Sequence, residues 1–288
     1  MTPCELCPRR CGVDRDAGRG FCGSGRSVRL FRWGLHFGEE PPITGERGSG
    51  CIFFSRCTMR CIYCQNSPWS WKGGGEDVSV ERLTQIMRGL AVDDKAENWN
   101  LVSPTPYLPF IREAAHMLKS EGIALPFVWN SSGYERVETL CEFRELCDWA
   151  LFDLRYSRSE TARELSFAPG YVEAARAAVK WAAENSRLIV RILVLPGHAD
   201  EAIENLAWLA TEVSNEIPVS LMSQFTPAYL AKERPPLDRT VTHEEYESVT
   251  EAAADFGFCT GWIQDYSAAD PSLALLGENM PPAHGTVK

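Results

Sequence analysis

From residue 51 to Gly257 the chain repeats one pattern six times: a short β-rich apolar run, then a segment whose apolar residues fall three and four apart. The runs are 51–54, 99–103, 126–129, 149–154, 187–195 and 219–223. The helical segments between and after them are marked by Leu83, Ile86, Met87 and Leu90; by Leu108, Ile111, Ala115 and Leu118, stopped by Gly122; by Val137, Leu140 and Cys141; by Val172, Ala175 and Val179; and by Ile203, Leu206, Ala207 and Ala210. The last opens at Thr242 with Glu245 three residues on, a capping box, and stops at Gly257. A strand reached through a helix lies parallel to the strand before it. Six such units therefore predict an α/β fold with a parallel sheet, two units short of a closed eightfold barrel. In such sheets ligands bind at the carboxyl ends of the strands.

Just after the first run stand Cys57, Cys61 and Cys64, spaced Cys-x3-Cys-x2-Cys. Three thiolates on one short loop can hold three irons of a 4Fe-4S cluster, and no fourth cysteine of the loop caps the last iron. An open coordination position is what separates a metal that does chemistry from one that staples a fold. A second group, Cys4, Cys7, Cys11 and Cys22, lies in a Gly- and Arg-rich stretch and suits a closed metal site, either structural zinc or a second, fully capped iron-sulfur cluster. Eight of the 11 cysteines fall between residues 4 and 64. That density, behind an N-terminus with no apolar leader, reads as metal binding in a reducing cytoplasm and not as a disulfide framework. No window holds the roughly 18 uninterrupted apolar residues that a membrane span needs. A net charge of -10 argues against a nucleic-acid partner.

With Tyr63 directly before the last cysteine and Gln65-Asn66 after it, the loop resembles that of the radical S-adenosylmethionine (radical SAM) enzymes, and within them the pyruvate formate-lyase activating-enzyme branch. The resemblance implies a partial (β/α)6 TIM-like barrel with a 4Fe-4S cluster whose uncapped iron is chelated by S-adenosylmethionine. It implies reductive cleavage to a 5'-deoxyadenosyl radical, hydrogen abstraction from a substrate, a reductant such as flavodoxin or ferredoxin, and a glycyl-radical enzyme as protein substrate. Radical modification of another protein, a peptide or a small molecule is the second expectation, and a non-catalytic iron-sulfur or zinc protein the third. The expected organisation is a cysteine-rich extension over 1–50, the core over 51–266 and a tail over 267–288.

The cofactor residues expected are Tyr63, Ser103, Asn130, Ser131, Asp153 and Arg191. Ser103 follows the second run, and Asn130 and Ser131 form a polar cluster at the end of the third. Asp153 belongs to an Asp-Leu-Arg run that resembles the Asp-Leu-Lys of activating enzymes, which implies a place near the ribose or the charged end of the cofactor. Arg191 is a charge inside the apolar fifth run, so it must meet an anion, either the cofactor carboxylate or Asp153. Gly73-Gly74-Gly75-Glu76 resembles the segment that fixes the cofactor ammonium, but it precedes the first helix and so lies in the wrong place. His36, Glu39 and Glu40 read as solvated charges of a connection, and 224–239 as a cover over the barrel mouth.

Overall fold

The chain's computed structural model describes residues 3–266. In order, β1 (Val28–His36) leads through a one-turn helix α1 (Pro41–Thr44) into β2 (Ser49–Phe54). A second short helix α2 (Ser67–Ser70) and an edge strand β3 (Glu76–Val78) precede α3 (Val80–Val92) and β4 (Trp99–Val102). Then come α4 (Leu108–Ser120), β5 (Phe127–Ser131), α5 (Val137–Glu142) and β6 (Trp149–Asp153). The chain continues with α6 (Ser159–Ser166), α7 (Tyr171–Asn185), β7 (Arg187–Leu193), α8 (Ala199–Glu212), β8 (Val219–Met222), α9 (His243–Asp255) and β9 (Gly261–Ile263).

The sheet runs β3-β1-β2-β4-β5-β6-β7-β8-β9, parallel from β2 to β9, with β1 and β3 added antiparallel at one side. It does not close, because β3 and β9 are its two edges. All six expected runs are strands of the parallel part. The seventh, β9, is three residues long, too short to show a period. The capping box at Thr242 forms as read, with the Glu245 N–H donating to Thr242 Oγ1 and the Thr242 N–H donating to Glu245. Among the described residues no helix is long and apolar enough to cross a membrane. The expected tail over 267–288 lies outside the described residues.

Alternation along each strand divides the residues between two environments. The outer face places Leu101, Trp129, Phe152, Val190 and Leu221 in one core with Ile86, Ile111, Val179 and Leu206 of the surrounding helices. The inner face is small and layered. Its floor is Val128, Leu151 and Ile189, plugged by Ile43 of α1. Above the floor the strand register sets polar residues side by side: Cys51 beside Asn100, Asp153 beside Arg191, and Arg191 beside Ser220.

The connection between β1 and β2 differs from expectation. Glu39 and Glu40 are buried, with side chains 8% and 6% exposed, and both pair with Arg191. Arg191 Nε and Nη2 donate to the two Glu40 oxygens at 2.7 and 2.6 Å, a bidentate fork, and Nη2 also reaches Glu39. Burial alone would lower the guanidinium pKa, but the two carboxylates outweigh it and raise it. The anion that a buried arginine requires is thus supplied by the protein's own plug, 151 positions earlier in the chain.

Candidate cluster loop and lumen

β2 ends at Phe54, and Arg56 then takes a positive φ of 73° that turns the chain into the cysteine loop. Ser103, at the end of β4, also has positive φ, 60°. Left-handed backbone at non-glycine residues costs energy and persists where the surroundings fix it, often at functional sites. The surroundings here are hydrogen bonds from distant segments. Arg60 and Ile62 N–H groups donate to Ser166 and Leu165 at the end of α6, and Ile62 C=O accepts from Leu230 and Ala231. Gln65 Nε2 donates to Thr226 Oγ1 at 2.9 Å. The proline-rich segment 224–239 therefore packs on the loop itself.

Each of the three sulfurs has a polar neighbour. Met59 N–H donates to Cys57 Sγ at 3.4 Å, Arg155 Nη1 donates to Cys61 Sγ at 3.3 Å, and Ser70 Oγ lies 3.1 Å from Cys64 Sγ. Burial raises the Cys57 thiol pKa and pushes Cys64 up to about 12. Thiolates so placed need a compensating cation, and metal binding expels their protons. The donor set, three thiols on one loop at the carboxyl end of a parallel strand, fits a site-differentiated iron-sulfur cluster.

Asn130, Asp153 and Arg191 come together on the inner face. Asn130 Nδ2 donates to Asn100 Oδ1 at 3.2 Å, while Asn100 Nδ2 is buried without a hydrogen-bond partner among the described residues. Arg155 pairs with Asp153 at 2.5 Å, so one guanidinium joins the end of β6 to Cys61. Ser103 sits at the rim, its N–H donating to Asn130 C=O at 2.8 Å. Tyr63 is buried, its hydroxyl 2.6 Å from that of Tyr156. Ser131 faces away from the lumen, where its hydroxyl accepts from the Gly133 N–H at 3.2 Å. Gly133 itself, at φ 73°, leaves room for the Asp153 carbonyl, which a Cβ would meet at 2.6 Å. Glu76, last of the glycine-rich run, begins edge strand β3 and is exposed.

Sequence reading missed Asn100, Ser70 and Glu135. Asn100 alternates with the outward Trp99 and Leu101, and an amide inside a buried strand was the available signal. Glu135 is buried, accepts from Thr105 Oγ1 at 2.6 Å, and has Oε2 without a hydrogen-bond partner among the described residues. Burial raises its pKa to about 7 from 4.5. A carboxyl with a raised folded pKa contributes stability that is full below its unfolded pKa and lost as pH rises through the folded one. Glu135→Gln is therefore expected to be more stable than the parent at pH 8, by on the order of 2–3 kcal/mol, and to differ little at pH 4. Urea unfolding of both proteins across that range is the check; parallel pH profiles would show that the carboxyl is not protonated in the fold.

The pattern of the Radical SAM superfamily matches residues 51–210, the segment from β2 through most of α8. The uncharacterized protein MJ0674 of Methanocaldococcus jannaschii is 29% identical over 264 residues, covering 88% of this chain and 75% of that protein. Among solved structures, SuiB of Streptococcus suis aligns with a TM-score of 0.50 at 14% identity over 75% of this chain. The same protein bound to its precursor peptide SuiA aligns at 0.47. This chain spans about half of SuiB, 49% of its length. With a cysteine loop at the carboxyl end of β2, a parallel and unclosed sheet, and a family match over more than half its length, the chain belongs to the radical SAM superfamily, whose domain implies a 4Fe-4S cluster and S-adenosylmethionine.

Proposed function

We propose that this chain is an enzyme that reductively cleaves S-adenosylmethionine, with Cys57, Cys61 and Cys64 holding the cluster and the polar inner face receiving the cofactor. When bound, cluster and cofactor supply a one-electron cleavage to methionine and a 5'-deoxyadenosyl radical that abstracts hydrogen from a substrate. The observation that carries the reading is that three buried or half-buried thiols, each beside a polar group, stand on one loop at the carboxyl end of β2, next to an inner face that carries Asn100, Asn130 and Asp153. Asn100, Asn130, Ser103 and Asp153 offer donors and acceptors to the methionine and ribose ends. Tyr63, fixed by Tyr156, backs the loop. Arg191, held by Glu39 and Glu40, lies beside Asp153 just above the apolar floor. Ser131 acts through the turn it forms and not by touching the cofactor. The four N-terminal cysteines hold a second metal.

For the substrate, the Asp153-Leu154-Arg155 run and the cysteine loop favour activation of a glycyl-radical enzyme, with flavodoxin or ferredoxin as the electron donor. The likeness to SuiB is one of fold and selects no substrate. The test is anaerobic reconstitution with iron and sulfide, then addition of S-adenosylmethionine and dithionite. Formation of 5'-deoxyadenosine and a cofactor-induced change in the cluster's electron paramagnetic resonance (EPR) signal are expected, and absence of both would refute the reading.

Arg155 gives a second test. It donates to a cluster ligand and brings positive charge to it, and both raise a cluster's potential. Arg155→Met is expected to lower the midpoint potential by on the order of tens of mV, read by an EPR redox titration. An unchanged potential would mean that the guanidinium serves Asp153 alone.

A further inference from the structure

His36 closes β1, Glu39 stands in the connection that follows, and Cys51 lies in β2 on the inner face, beside Asn100. Their nitrogen, oxygen and sulfur ligand atoms all lie within 4.8 Å of one another. The Glu39 carboxylate is divided between two sides. Its Oε2 pairs with Arg191, whereas Oε1 lies 3.5 Å from His36 Nδ1 and 3.6 Å from Cys51 Sγ. All three side chains are shielded: Cys51 is fully buried, Glu39 nearly so, and His36 is 25% exposed.

A thiol donating to a carboxylate explains the contact between sulfur and oxygen. The contact between nitrogen and oxygen has no such proton. The Gly38 N–H donates to His36 Nδ1 at 3.3 Å, so this nitrogen presents a lone pair, and it does so next to a carboxylate oxygen. Charge points the same way. Around the inner face Glu39, Glu40 and Asp153 set three carboxylates against the two guanidiniums of Arg191 and Arg155, which leaves one negative charge in excess. Buried charges persist where they are paired or coordinate a metal. The printed separations also match one centre. Zinc, with nitrogen and oxygen ligands at about 2.0–2.1 Å and sulfur at about 2.3 Å, holds nitrogen and oxygen about 3.4 Å apart and sulfur and oxygen about 3.6 Å apart at tetrahedral angles. A donor set of one imidazole, one carboxylate and one thiolate suits that borderline cation better than magnesium or calcium, which take oxygen ligands.

We propose that His36, Glu39 and Cys51 bind a zinc ion that ties the plug to the first two strands. Binding expels the Cys51 proton and takes the Nδ1 lone pair from the Gly38 N–H, whose bond is already long. Three protein ligands leave the fourth position of the tetrahedron to water. The test uses the full chain, isolated anaerobically, reconstituted with iron and sulfide, equilibrated with zinc sulfate and freed of excess. Zinc is counted by mass spectrometry in the parent, His36→Phe and Cys51→Ala. Whatever metal the N-terminal cysteines hold is common to all three and cancels. The expected result is one more zinc per chain in the parent than in either variant. Stripping with EDTA is expected to lower the parent's melting temperature and added zinc to restore it, with a smaller zinc-dependent rise in His36→Phe. If Cys51→Ala fails to fold, His36→Phe decides, because it changes a partly exposed side chain. Equal zinc in the parent and His36→Phe would overturn the proposal and leave a proton on His36 as the counter-charge to Glu39. Failure of the catalytic reading looks different, because a parent that forms no 5'-deoxyadenosine would still carry the additional zinc.

Discussion

Cys61→Ala is expected to abolish formation of 5'-deoxyadenosine while leaving the fold intact. Cys61 is buried at the centre of the loop, and its sulfur is the one that Arg155 reaches. Alanine keeps the Cβ and removes one of the three iron ligands, so the remaining pair cannot hold a cubane against loss of iron. Substitutions outside the ligand shell of a metal site already cost about 10–100-fold; loss of a ligand is expected to exceed the upper end of that range. The backbone bonds of Arg60 and Ile62 to α6 do not involve the sulfur, so the far-ultraviolet circular dichroism and melting of the metal-free protein should match the parent. Cys147→Ala, a buried thiol of the outer core, serves as the control and should keep cleavage activity. Turnover retained by Cys61→Ala would remove this cysteine from the ligand set.

Arg191→Met is expected to destabilise the chain by about 3–5 kcal/mol, because it strands two buried carboxylates that now share one guanidinium. The penalty comes from the partners left behind. Replacing all three at once, with Glu39→Gln and Glu40→Gln added, should therefore recover most of the loss, since a buried ionic cluster replaced whole is often neutral or stabilising. Urea unfolding of the single and triple variants measures both effects. A single variant with parental stability and a raised KM for S-adenosylmethionine would instead assign Arg191 to the cofactor.

The parts legible in sequence were those whose signal is local. Strand-then-helix alternation is written in consecutive residues, so all six runs appear where periodicity placed them, and so does the Thr242 capping box. The cysteine loop was legible for the same reason. What escaped depends on parity or on distant partners. Asn130 and Ser131 are adjacent in sequence, but the pleat sends them to opposite faces, so a polar cluster read as one unit divides. Glu39 and Glu40 look like connection charges until Arg191 is brought to them by the curvature of the sheet. Glu135 looks like an ordinary residue of a turn until it is buried beneath Thr105 and Trp129. In sequence Arg155 reads as an arginine where activating enzymes have lysine, and its forked geometry is what lets it reach Asp153 and Cys61 at once.

The plug beneath the barrel has a consequence for how the chain is made. Glu40 emerges from the ribosome 151 residues before the arginine that neutralises it. At about 5–20 residues per second, that is a wait of about 8–30 s during synthesis. Until β7 is complete the floor cannot be sealed, and closing a loop of that length is an entropic cost deferred to late in folding. Through that interval the two carboxylates stay hydrated beside the nascent first strands, and their charge discourages those strands from pairing with other chains.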